Sequence, residues 1–301
     1  MTNLALLVFC FAAGIALRAS GRAPPNAPAA LNAFVIHISL PALILLHLHA
    51  VPLRPAVIGA AMVAWALFGL SAGFFFVVGR WTRLSPQSIG ALTLTGGLAN
   101  TSFIGVPMIE AFYGTGGVAL GLVIDQLGSY LALATLGIGV AALYSGDRLS
   151  ARAVLRRIVT FPPLIAVALA LLLRPLDYPA PVTGLLTRLG DTLAPLALAS
   201  VGMQLRLGDL HGQRLALALG LGFKLLLAPA LIVLAFALAF GVGDQHARII
   251  LFEAAMAPMI GAAIVASEHR LNPQLTSLMV GVGIPLSFVT VPGWFYLLER
   301  I

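Results

Sequence analysis

Residues 96–114, GGLANTSFIGVPMIEAFYG, set amide, hydroxyl and carboxyl groups inside a run that is otherwise apolar. Asn100, Thr101 and Ser102 place hydrogen-bonding groups side by side. Gly96, Gly97, Gly105 and Pro107 weaken a helix, and Glu110 follows about one turn after the proline. Proline has no backbone N–H and crowds the preceding turn, so the helix is expected to be interrupted near Pro107. A helix restarting at such a gap turns bare N–H groups and partial positive charge toward it, which suits an anion. A second stretch, FEAAMAPMIGA over 252–262, repeats the theme with Glu253, Ala257, Pro258 and Met259. The chemistry expected of the pair is recognition of a small carboxylate, not bond cleavage.

Other polar residues in apolar surroundings are candidates for coupling or charge pairing, because intramembrane charge is costly. Asp125 and Gln126 lie in one run. His37 and Asp191 each precede a proline by four residues, Pro41 and Pro195. Lys224 is the single lysine, and its expected partners are Asp191 and Glu253. No phosphate loop, paired catalytic carboxylates or nucleophile–base pair accompanies them, so no enzymatic activity and no cofactor is expected. GLSAG, 69–73, matches G-x-S-x-G but lies mid-run, where Gly69 and Gly73 read as helix packing; Gly117 and Gly121 read likewise. His47 and His49, two apart, do not share a helix face, and no metal site is expected.

The elements that must position these groups follow from composition. The chain has 301 residues, 60% hydrophobic and 9% charged, far from the roughly 25% charge of soluble domains. This is the composition of an all-α polytopic membrane protein, since an open sheet cannot satisfy its backbone in lipid. The net charge of +7 comes from arginines scattered between apolar runs, which points to membrane topology and not to nucleic acid. Cys10 is the only cysteine, so no intrachain disulfide forms. No positive segment precedes the first run, which is expected to be a retained span.

Ten spans are expected, at about 3–18, 31–51, 56–79, 87–113, 115–144, 159–174, 183–205, 214–240, 246–268 and 274–298. With the N-terminus outside, inner loops hold Arg18, Arg22, Arg80, Arg83, Arg148, Arg152, Arg156, Arg157, Arg206, Arg214 and Arg270. Outer segments then hold Arg54, Arg174, Arg248 and Arg300. The positive-inside rule therefore puts both termini on the outer side, in a bacterial inner membrane. The connecting loop 145–158 divides the chain into a first repeat, 1–144, and a second, 159–301. Five spans each makes the halves inverted. Shifts of 154 residues (Pro41 to Pro195) and 151 (Pro107 to Pro258) support a repeat with matching interrupted spans, the fourth and the ninth.

NTSFIGVPMIEAFYG resembles the fourth-helix motif of the auxin efflux carrier family, which includes plant auxin exporters and bacterial organic-acid carriers. LALASVGMQL, KLLLAP and the segment from PMIGAAIVASEHRLNP onward agree with it. The resemblance implies ten helices as two inverted five-helix repeats, a scaffold and a transport domain each built from both repeats, and broken fourth and ninth helices that cross. It also implies elevator-type movement of carboxylates, with Gln126 where the family places a polar substrate contact. The long cytoplasmic loop and tryptophan-rich fifth helix of the plant members are absent, which argues against auxin itself. The function expected is a secondary organic-anion transporter, proton-coupled or a uniporter, in the lipid bilayer and with a homodimer as a further expectation. The rival readings are a sodium-coupled symporter of the bile-acid type and a passive anion channel.

Overall fold

A computed structural model describes residues 2–49, 55–146, 150–205, 210, 212–239 and 243–301. Arg54, Arg148 and Arg206, which entered the expected topology, lie outside the described residues. Among the described residues the architecture is helical, with a single isolated β-bridge and no strand. Among the described residues, five helices are long and apolar enough to cross a membrane: Ala27–Leu48, Gly59–Trp81, Thr115–Ser145, Arg214–Ala239 and Pro273–Leu298. The pair Ala151–Val159 and Pro162–Leu172, bent by 56°, makes a sixth if counted as one span, and Ala5–Ala19 is a shorter apolar helix.

The expected interruptions are present, and main-chain atoms join them. The first broken helix runs Pro86–Gly97, then a wide turn Thr101–Gly105, then Val106–Tyr113. The second runs Gln245–Ala254 and resumes as Ile260–Glu268. Ser85 and Asp244 cap the two starts, accepting from the N–H groups of Ser88 and Ala247. Such caps satisfy donors that a helix start leaves bare. The extended links between the halves then pair: Ala99 bridges Pro258 in antiparallel fashion. Asn100 N–H donates to the Ala257 carbonyl at 2.8 Å, and Met259 N–H donates to the Leu98 carbonyl at 3.0 Å. Backbone that would otherwise be orphaned in an apolar interior is thereby satisfied.

Pro107 does not make the first interruption. The chain leaves the helix at Leu98, which is extended at φ −106°, ψ 129°, nine residues earlier. Pro107 sits where the wide turn Thr101–Gly105 hands over to Val106–Tyr113, and a widened turn is a place where a helix tolerates the N–H that proline lacks. Pro258, by contrast, lies in the extended link itself. The prolines matched in sequence therefore occupy different places relative to their breaks. What ends the first helix is Gly96–Gly97, held against the preceding span: a Cβ at Gly96 would meet Phe75 at 2.7 Å, and one at Gly97 would meet Ser71 at 2.8 Å.

Gly69 and Gly73 also depart from expectation, since nothing lies within 4 Å of a Cβ built on either. They face outward, and the small-residue contacts fall elsewhere. Helix Thr2–Ala19 packs on Leu193–Gln204 so closely that a Cβ at Gly14 would overlap the Ala199 carbonyl, and one at Gly202 that of Phe11. Gly117 and Gly121 do pack, both against Ile109.

Candidate functional site

Five segments wind wider than an α-helix, in the i→i+5 manner: Val35–Ser39, Thr101–Gly105, Ile124–Tyr130, Leu133–Gly137 and Phe223–Leu227. Four of them carry polar candidates, namely His37, Thr101 with Ser102, Asp125 with Gln126, and Lys224. Such π turns are frequent at functional sites because they re-aim side chains and disturb the regular backbone ladder. Two tryptophans attend them. Trp65 Nε1 donates to the Leu127 carbonyl at 3.0 Å and Trp294 Nε1 to that of Leu225 at 2.8 Å. Trp81, in contrast, is exposed at a helix end.

At the first break, Asn100 Oδ1 accepts from Phe103 N–H at 3.2 Å, capping the resumed helix, while Asn100 Nδ2 is buried without a partner. Asp125 is fully buried. One of its oxygens accepts from Thr101 Oγ1 and Ser102 Oγ at 2.5 Å each, and the other from Gln126 Nε2 at 2.5 Å. Three donors hold it in place, as a buried carboxylate requires. Gln126 Oε1 and Ser129 Oγ remain unpartnered. Ser129 follows Asp125 by one turn and drew no attention in the sequence, where serine in an apolar run is unremarked.

The second break contributes differently. Glu253 is buried beside it, with neither carboxyl oxygen partnered among the described residues. Both oxygens lie 2.6 Å from where a Cβ would stand on Gly105. Gly105 is thus the notch in the first broken helix that admits the carboxyl of the second. Lys224, 0% exposed, donates to the Ala254 carbonyl at 3.4 Å. Ala254 is the last residue of Gln245–Ala254, so the ammonium caps the partially negative end of that helix. Glu253 lies within electrostatic range of both Lys224 and Asp125. Of the two partners expected for Lys224, the structure therefore supplies Glu253 and not Asp191.

Asp191 and Glu110 belong to a separate cavity of 680 Å³ that follows Val106–Tyr113 away from the crossing, lined also by Pro107, His47 and Thr187. Both Glu110 and His47 sense the Asp191 charge. His47 was set aside in the sequence because its neighbour His49 points elsewhere; its companions come from other helices. His37 is exposed and joins neither group, although the adjacent Ser39 hydroxyl bonds to that of Thr192 at 2.7 Å. A second cavity of 540 Å³ follows Ile260–Glu268, lined by Arg18, Asn32, Gln204, Ser267 and Glu268. Because the bridge is antiparallel, Val106–Tyr113 and Ile260–Glu268 leave the crossing in opposite directions, and so do the two cavities. Ala257 and Pro258 lie buried between them, with Met259 half-buried.

Among the described residues no group of three or more His, Cys, Asp or Glu side chains is disposed to hold a metal ion. The arrangement is instead a buried polar crossing with open volume on either side. Two relatives share the sequence over long stretches. An uncharacterized transporter of Methanothermobacter thermautotrophicus is 25% identical over 297 residues, covering 97% of this chain and 96% of the relative. An uncharacterized transporter of Methanocaldococcus jannaschii is 24% identical over 228 residues, covering 72% of this chain and 70% of the relative. The family model described as membrane transport protein matches residues 1–142 and 147–295, and the chain belongs to that family, the one that includes the auxin efflux carriers.

Proposed function

We propose that this integral membrane transporter is a secondary carrier of small organic anions, working by elevator-type alternating access. The observation that carries the reading is the hydrogen-bonded crossing of two broken helices, flanked by unpartnered buried polar groups and by cavities that leave in opposite directions. Residues 101–113 and Ile260–Glu268 both begin at the crossing, so two helix N-termini aim partial positive charge at one place. In this reading Asn100 Nδ2 and the helix N-termini that begin at Thr101 and Ile260 receive the substrate carboxylate. Thr101, Ser102 and Gln126 position Asp125, and Lys224 balances the buried negative charge. The halves 1–144 and 159–301 act as inverted repeats, with both termini outside.

Glu253 is the group assigned to proton coupling. Its oxygens are out of water and have no hydrogen-bond partner among the described residues, so its charge is balanced only through space, by Lys224, and no donor fixes it in one protonation state. Glu253→Gln is therefore expected to keep carboxylate exchange and to lose its response to a pH gradient. A sodium-coupled symport is a second reading with an observation in its favour: the fold brings Asp125 and Glu253 into one oxygen-rich cluster, although their sequence separation hides it.

Charge movement in proteoliposomes tests both, using malonate, malate and indole-3-acetate with and without a pH gradient, then with Na⁺ replaced by choline. Saturable signal altered by pH and indifferent to Na⁺ supports the proton reading. Dependence on Na⁺ moves the coupling to the cation. Radiolabelled counterflow covers electroneutral exchange and separates a carrier from a channel; absence of both signals overturns the carboxylate reading.

A further inference from the structure

The short helix Ala151–Val159 between the two halves is not needed by the transport reading, and its chemistry is distinct from that of the spans. Its sequence, ARAVLRRIV, divides at helical spacing into two faces. At 100° per residue, Arg152, Arg156 and Arg157 fall on one side, while Val154, Leu155, Ile158 and Val159 fall on the other. None of its residues is buried: Leu155 is 61% exposed and Val159 59% exposed. No acidic residue lies between 150 and 159, and no ion pair engages the three arginines among the described residues. A free helix of nine residues is marginal in water, and one with an open apolar face needs something to cover it.

Its placement limits what that cover is. The following helix, Pro162–Leu172, departs at 56°, so the arginines do not continue the line of a span. The elbow is pinned to the protein through Tyr130, while Val154 and Ile158 are half-buried. Tyr130 and Phe161 stack with ring centroids 3.7 Å apart, and Tyr130 OH donates to the Arg157 carbonyl at 3.2 Å. Pro162–Leu172 has 11 residues, about 17 Å of helix, against about 30 Å for a hydrocarbon core. Continued straight, the preceding nine residues would complete the span; the 56° bend turns them out of that line, toward the level where the core meets the headgroups. Placing three arginines deeper is costly, whereas an apolar face with a basic counterface suits the interface.

We infer that Ala151–Val159 is an interfacial helix that binds anionic phospholipid, with Leu155 and Val159 in the acyl layer and Arg152, Arg156 and Arg157 on lipid phosphates. Charge complementarity selects the occupant, since a wholly basic face without acids favours anionic over zwitterionic headgroups. The contact sits on the helix Thr115–Ser145, which also carries Asp125 and Gln126.

The test uses the full chain in nanodiscs of phosphatidylcholine alone or with phosphatidylglycerol, reading hydrogen–deuterium exchange over 151–159. Each basic residue at an anionic surface contributes roughly a fivefold preference, so exchange is expected to slow at least fivefold in phosphatidylglycerol. High salt should weaken that effect, and Arg152→Gln/Arg156→Gln/Arg157→Gln should abolish it. Equal exchange in the two bilayers, or a preference that survives the triple substitution, overturns the inference. A nitroxide on Val159→Cys in a Cys10→Ser background gives an independent depth. Ready collision with oxygen but not with a water-soluble nickel chelate is expected, and the reverse also overturns it. Unchanged thermal unfolding of the variants shows that they fold.

Discussion

The two breaks meet through the same kind of main-chain bond, yet they are built from opposite materials. The first, Leu98–Ala99–Asn100, is followed at once by hydroxyls and capped by its own amide. The second, from Ala255 to Met259, has no polar side chain at all; its charge comes from Glu253 just upstream and from Lys224 on another helix. Polarity is thus local at one break and imported at the other. A site built this way holds one carboxyl rigidly and leaves the other unrestrained by hydrogen bonds. Asp125 is fixed by three donors, whereas no donor holds Glu253 among the described residues.

Substitutions that confuse the two roles should have the largest effect. Lys224→Met leaves two buried carboxyls without a cation and is expected to cost about 3–5 kcal/mol, the usual result of removing one partner of a buried charge pair. Glu253→Gln in the same chain should restore much of the thermal midpoint. If the double variant is no more stable than Lys224→Met alone, the coupling between the two breaks is wrong. Gly105→Ala comes next. The added methyl displaces the Glu253 carboxyl, and a loss of transport of about tenfold is expected in proteoliposomes, close to the scale of a 1–3 kcal/mol overpacking strain. Wild-type transport with this variant would remove Gly105 as the notch.

Asn100→Ala should weaken substrate binding several-fold, because it removes an unpartnered donor, while the lost cap costs only about 1 kcal/mol of stability. Calorimetric titration with the transported carboxylate, beside a melting curve, separates the two; unchanged affinity takes Asn100 out of the site. Pro107→Ala should do least, changing transport by less than about twofold, since the break lies nine residues earlier and the wide turn before Val106 already accommodates the missing N–H. A severe loss would restore Pro107 to the role its sequence suggests.

The two interrupted helices were legible because glycine, proline and carboxamide in apolar runs have few other uses. Their positions were less so. Pro107 and Pro258 look equivalent in sequence, but a proline can sit in an extended link or open a helix, and local composition does not separate the two. Wide turns left no trace either: an i→i+5 ladder needs no particular residue, so His37, Asp125 and Lys224 could be flagged for their charge but not for the backbone that aims them. Glycine contacts went astray for a related reason. Gly69 and Gly73 share the spacing of a packing motif, while Gly14 and Gly202, which touch a neighbouring backbone, stand alone in theirs. The pairing of Asp125 with Glu253 spans 128 positions, and only tertiary structure brings them together.

The bond that holds the crossing has a consequence for how such a protein diversifies. It uses the carbonyls of Leu98 and Ala257 and the N–H groups of Asn100 and Met259, atoms present in every residue type except for the N–H that proline lacks. The joint is therefore indifferent to most side chains placed at those four positions. A descendant lineage can rewrite the walls of the chamber for a new cargo while inheriting the hinge-pin intact.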